Sequence, residues 1–149
     1  MPLTVRAKAL LLGLMLGSAW IQDARADTRA CSQQEAIAAE EGSNRIGNWS
    51  QLYKAYQKYA HCDDGAISEG YTYSVTDRLV NQWDRFPKFV ELVDKSSGFG
   101  DFVISHINET MSLSEVNKVI VNATTKCPRQ AALQCARVHE AAQLSKSRI

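Results

Sequence analysis

Long apolar runs are scarce in this sequence of 149 residues: there is one, close to the N-terminus. After residue 26 no stretch approaches the roughly 20 apolar residues that span a bilayer, so no stable membrane insertion is expected of that part. An excess of one charge is also lacking. Seventeen Lys and Arg stand against 16 Asp and Glu, with no basic patch interleaved with aromatics, and this argues against nucleic acid as a partner. There is no strand-like alternation of useful length, no internal repeat and no low-complexity segment. Proline is sparse, and the two beyond the first apolar run, Pro87 and Pro128, read as breaks between helices. The usual catalytic signatures are missing as well. No G-x-S-x-G, S-x-x-K or H-E-x-x-H occurs, and no glycine loop could cradle a phosphate. No catalytic set, metal or cofactor is therefore expected.

The one apolar run has the layout of a secretory leader. Arg6 and Lys8 precede Ala9 to Ile21, and Ala24-Arg25-Ala26 supplies small residues for cleavage before Asp27. A helix of this run would be about 20 Å long, short of the roughly 30 Å hydrocarbon core. The expected organisation is a signal peptide over 1–26 and a single helical domain over 27–149. The mature part carries 14 basic and 15 acidic residues, a formal charge of −1.

All four cysteines, Cys31, Cys62, Cys127 and Cys135, follow the leader. An even number in an exported chain predicts disulfides. Zinc is the competing use, but 30, 64 and 7 intervening residues do not supply the close pairs that it favours.

Helical patterns fill the mature chain, and the expected fold is all-α, a bundle of about six to seven short helices stapled by two disulfides. Ser32 with Glu35 is a capping box opening a helix to about Glu41, and Asn48 caps a second helix with the aromatic side Trp49, Leu52, Tyr53, Tyr56 and Tyr59. A third helix, from about Ala66 to Trp83, repeats Ile67, Tyr71, Val75, Leu79 and Trp83 every four residues. Tyr73 and Val80 lie on its other side, which predicts a central helix. Gly70 and Ser74 on it would let a neighbour approach closely, and Arg78 within its stripe must find a partner or reach water. Pro87 opens a fourth helix with Phe86, Phe89, Val90 and Val93 on one face. Phe99, Phe102, Val103, His106 and Ile107 form the fifth face. Ser112 with Glu115 opens a sixth, with Leu113, Val116, Ile120, Ala123 and Cys127 on one side, and a last helix runs to about Leu144.

An antiparallel hairpin of the first two helices would place Cys31 beside Cys62, leaving Cys127 to Cys135. A continuous helix would hold that second pair about 12 Å apart, while a disulfide tolerates less than about 7 Å. The chain must therefore turn back near Pro128, with the last helix starting near Gln130 or Ala131.

The densest group of reactive side chains is HCDDGAISEGY, residues 61–71. Asp63 and Asp64 stand where a helix cap belongs, Gly65 eases the entry, and no second supply of ligands follows in sequence. Cap and connector is the first reading of this stretch, a partner-binding surface the second. His106 on an apolar face is read as a satisfied core histidine, with a general base as the competing role.

The run DDGAISEGYTYSVTDRLVNQW from Asp63 to Trp83, the Phe-rich helices after it and the Lys126-Cys127-Pro128 break resemble small exported, disulfide-containing helical proteins of Gram-negative bacteria with no assigned activity. In general style the chain is also similar to the immunity proteins that neutralise cell-wall-degrading toxins. The resemblance implies a periplasmic, or alternatively secreted, helical protein with another periplasmic or secreted protein as its partner, and it carries over no functional residue. The leading expectation is a non-catalytic protein-binding module, inhibitor or immunity-type. Its candidate contacts are the acidic and aromatic groups outside the core stripes: Asp63, Asp64, Glu69, Tyr73 and Asp77. One alternative is a carrier of small apolar ligands, with Trp49, Tyr53, Tyr56, Phe89, Phe99 and Phe102 lining its pocket. The other is a cell-wall or sugar hydrolase using Asp63, Asp64 and Glu69 as carboxylates, or His106.

Overall fold

The computed structural model describes residues 29–149, so the leader expected over 1–26 lies outside the described residues. The chain enters its first helix, α1 (Gln33–Ser43), through the expected capping box. The Ser32 hydroxyl accepts from the Glu35 N–H at 3.3 Å, and the Glu35 carboxylate accepts from the Ser32 N–H at 3.1 Å. Helix α2 (Trp49–Tyr59) starts at Asn48, whose side chain accepts from the Gln51 N–H at 3.0 Å. A 3-10 turn at Ala60–Cys62 brings Cys62 back to Cys31, and the two are joined with their Cα atoms 5.0 Å apart. The first two helices thus form the expected antiparallel hairpin.

Helix α3 (Gly65–Asn81) is central, packing against α1 and α2 on one side and against α6 (Leu113–Thr125) on the other. Its entry needs glycine, because Gly65 has a φ of 51°. It stops short of the expected Trp83. The chain tightens instead into a 3-10 turn at Trp83–Arg85, from which the Trp83 indole N–H donates to the Lys126 carbonyl at 2.8 Å. Helices α4 (Phe86–Lys95) and α5 (Ser97–Ser105) follow, with Pro87 in the first turn of α4. Ser112 and Glu115 form the second capping box, on α6.

A 3-10 turn at Arg129–Ala131 follows Pro128 and leads into α7 (Ala132–Lys146), which lies back along α6 and also packs on α5. This reversal closes the Cys127–Cys135 bridge at a Cα separation of 6.0 Å. The buried face of α6 is Val116, Val119 and Ala123, while Leu113 is 48% exposed. That corrects the expected face: Asn122, one turn from Val119, is tied to the Leu79 carbonyl of α3, so the line through Val119 turns inward and Leu113 outward.

Buried side chains from all seven helices join one cluster, and no strand occurs among the described residues. No described helix is long and apolar enough to cross a membrane. Two polar groups set the packing of α3. Arg78, 1% exposed, donates to the Ser74 and Ile46 carbonyls, so the charge expected in the stripe is met by backbone oxygens. Burial lowers its pKa, partly offset by Asp77. Asn122, also buried, donates to the Leu79 carbonyl at 2.9 Å, tying α6 to α3.

Gly70 is where α1 crosses α3. A Cβ there would stand 2.7 Å from the Ser43 Cβ, and Ser74 one turn on donates to the Ser43 carbonyl at 3.4 Å. Gly70→Ala is therefore expected to destabilise by about 1–3 kcal/mol through overpacking, against a helix-propensity gain of about 1 kcal/mol. Adding Ser43→Gly should recover most of the loss. Urea midpoints of the single and double variants check this, and an unchanged midpoint for Gly70→Ala would mean that the crossing is not tight.

Candidate functional site

Helix α3 buries Ile67, Tyr71, Thr72, Ser74, Val75, Thr76, Arg78 and Leu79. Its outer face carries three of the five candidate contact residues, Glu69 and Tyr73 exposed and Asp77 half-buried. Glu69, Tyr73 and Asp77 are spaced by four, one above the other on a single face. Tyr73 is 76% exposed, the most exposed large apolar side chain among the described residues. A hollow of about 290 Å³ opens beside it, lined by Glu69, Thr72, Tyr73 and Thr76 of α3, by Thr110 and Met111 before α6, and by Glu115. Asp77 is tied down at the helix end: Asn81 donates to its Oδ1 at 2.9 Å and Gln82 to its Oδ2 at 2.7 Å.

The other two candidates are occupied with folding. Asp64 is the N-cap of α3, its Oδ1 accepting from the Gly65 N–H at 2.8 Å. Asp63, expected to share that role, turns inward to the His106 Nε2 at 3.1 Å. The His106 Nδ1 lies 3.0 Å from the Thr72 Oγ1, which is also 3.5 Å from the Asn108 Nδ2. Because a carboxylate only accepts, Nε2 carries the proton and donates to Asp63. In the neutral imidazole Nδ1 accepts from the Thr72 hydroxyl, whose oxygen also accepts from the Asn108 amide. His106 is 2% exposed, with the Phe102 and Tyr71 rings edge-on at 4.6 and 5.8 Å, the environment of a satisfied core histidine.

Sequence reasoning did not find this Asp63–His106–Thr72 line. Its members lie 43 and 34 positions apart, and no local spacing signals them. A carboxylate, an imidazole and a hydroxyl in a row can pass a proton to activate a nucleophile. Here the hydroxyl sits in the middle of a helix, where backbone N–H groups are already bonded within the helix, so α3 offers no oxyanion donors beside Thr72. The line's evident work is to lock the α2–α3 connector and the end of α5 onto α3. Close to it, burial, with Asp63 and then Tyr59 adding to it, pushes the Tyr71 phenol up to about 12. The Tyr71 hydroxyl and the Asp63 Oδ1 are both buried without a hydrogen-bond partner among the described residues.

His61 lies on the other side of the connector. Its Nε2 is 3.3 Å from the Glu35 Oε1. The Ser32 hydroxyl first, then the Ser32 N–H, hold the Glu35 carboxyl down to about 2, with Arg29 and His61 contributing. Cys31, His61 and Cys62 form the one group of three potential metal donors among the described residues. Its sulfurs are joined to each other, so in this state the group is a bridge. The six aromatics considered as a pocket lining pack against one another, with Phe89 and Phe99 at 6.0 Å and Trp49 and Phe89 at 4.9 Å between ring centroids. Both disulfides are the chemistry of an oxidising compartment. No family model, curated protein or solved structure matches the chain.

Proposed function

We propose that this chain is an exported, periplasmic protein-binding module of the inhibitor or immunity type, and that it docks its partner on the Glu69–Tyr73–Asp77 strip of α3. The observation that carries this reading is Tyr73, a large aromatic left 76% exposed on a central helix that buries eight of its residues. Tyrosine is over-represented among the few residues that dominate binding energy, since it offers a wide rigid surface with one polar tip. Carboxylates one turn to either side and a hollow alongside give such an anchor a polar rim, which favours a partner with basic groups at the contact. A stapled scaffold holds that strip rigid, which lowers the ordering cost of association.

A pull-down from a periplasmic extract tests the proposal. The wild-type protein should retain a stoichiometric partner, and Tyr73→Ala should weaken the purified complex by about 30-fold or more, equivalent to about 2 kcal/mol. The stability of the variant should stay within about 0.5 kcal/mol of wild type, because the side chain is exposed. A clean monomer with no partner, or a partner held equally well by Tyr73→Ala and by Glu69→Lys, would end the proposal.

A further inference from the structure

The Cys31–Cys62 bridge has one more donor group beside it, His61, and Glu35 stands next to His61. The donor atoms of Cys31, His61 and Cys62 all lie within 4.8 Å of one another, and the Glu35 Oε1 is 3.3 Å from the His61 Nε2. A cation is already seated against this group. The Arg29 guanidinium is 2.9 and 3.1 Å from the two ring nitrogens of His61 and 3.2 Å from the Glu35 Oε1. In a tetrahedral zinc site, bonds of about 2.0–2.1 Å set a nitrogen and an oxygen about 3.3 Å apart, and bonds of about 2.3 Å set two sulfurs about 3.8 Å apart. His61 and Glu35 thus already stand at the spacing of one tetrahedral edge. The sulfurs reach theirs only when the bond between them is broken.

We propose that reduction of the Cys31–Cys62 bridge turns it into a zinc site with Cys31, Cys62, His61 and Glu35 as ligands. Two molecules of a thiol reductant supply two electrons and two protons. The S–S bond breaks, Cys31 and Cys62 become thiols, and the reductant leaves as its own disulfide. Zinc binding then releases the two thiol protons to solvent and displaces the Arg29 guanidinium from His61 and Glu35. Two thiolates and one carboxylate around a divalent ion leave a charge of −1, which keeps Arg29 nearby as a counter-ion. Two sulfurs and an imidazole select a thiophilic metal over magnesium or calcium. Bridging and zinc binding, competing uses of these cysteines on sequence grounds, become successive states of one place. In each, the start of α1 stays fastened to the end of α2.

The test is a titration of the purified protein with Co²⁺ and then Zn²⁺, after anaerobic reduction with a phosphine that does not itself hold the metal. One Co²⁺ per chain should give tetrahedral ligand-field and thiolate charge-transfer bands that one Zn²⁺ abolishes, and the oxidised protein should give neither. His61→Ala and Glu35→Gln keep both sulfurs, and each should weaken binding by at least about tenfold. Circular dichroism of the oxidised variants shows that they are folded. The Cys127→Ser/Cys135→Ser protein should bind as wild type does. The proposal is overturned by a reduced protein without these bands, by the same bands in the oxidised protein, by a signal that needs Cys127 and Cys135, or by unchanged affinity in His61→Ala.

Discussion

Phe99→Ala is expected to lower the stability of the fold by about 3–5 kcal/mol, the range for truncating a buried aromatic. The ring is 0% exposed and stands where four others converge. Tyr53 meets it edge-on at 5.0 Å, and Tyr56, Phe89 and Phe102 lie 5.4, 6.0 and 6.4 Å away between centroids. These partners come from α2, α4 and α5, so a cavity there loosens three helices at once. The rings around it cannot collapse into the space without giving up their contacts with each other, which places the cost toward the upper end. A domain of this size has about 0.05–0.15 kcal/mol of stability per residue, so the variant should lose a large share of the total. Urea unfolding followed by circular dichroism measures it. Leu133→Ala, at a position 68% exposed, serves as the control and should shift by less than about 0.5 kcal/mol. A Phe99→Ala midpoint close to that of Leu133→Ala would show that the aromatic cluster is not the stabilising centre.

Features that depend on neighbours in sequence were legible in it. Ser32 with Glu35, Asn48, and Ser112 with Glu115 each satisfy N–H groups within one turn, and all three caps are formed. The two disulfides were legible because helix geometry left few ways to bring four sulfurs together, and Pro128 marked the reversal that the second bridge needs. Gly70 announced a close helix crossing, and the buried Arg78 announced that something must meet its charge. The partners themselves were not legible. Ile46 reaches Arg78, His106 reaches Asp63, and Glu35 reaches His61 only once the helices are packed. For the same reason Asp63 was read as a cap, the local option, when a buried imidazole competes for it. Leu113 and Val119 are equally apolar in sequence, and only the packed orientation of α6 against its neighbours decides which is covered. Of the candidate contact residues, Glu69 and Tyr73 lie exposed on one face of α3 with Asp77 half-buried a turn further on, whereas Asp63 and Asp64 are engaged in hydrogen bonds within the fold.

Removing the Cys31–Cys62 bridge, as Cys31→Ser/Cys62→Ser, is expected to cost roughly 3–4 kcal/mol, the chain-entropy value for a loop of this length. The matching loss at Cys127–Cys135, with a sequence separation of 8 in place of 31, should be smaller by about 1 kcal/mol. Packing points the same way. Helices α6 and α7 lie along each other over their length, so their bridge closes a junction that side chains already hold. Helix α1 has only Ala39 and Ser43 among its buried residues, and the covalent link at its start is a larger part of what keeps it docked. Denaturant midpoints of the two double variants measure the difference. Equal losses, or a larger loss at Cys127–Cys135, would place the weak point of the fold elsewhere. The same comparison bears on metal binding. Reduced wild-type protein without metal should resemble Cys31→Ser/Cys62→Ser with its second bridge also open. Zinc should restore part of its stability, since a ligand that binds only the folded chain stabilises by RT ln(1 + [L]/Kd). In Cys31→Ser/Cys62→Ser, which has no thiolates at that place, zinc should restore nothing. Stabilisation of both proteins alike would show that the metal acts elsewhere on the chain.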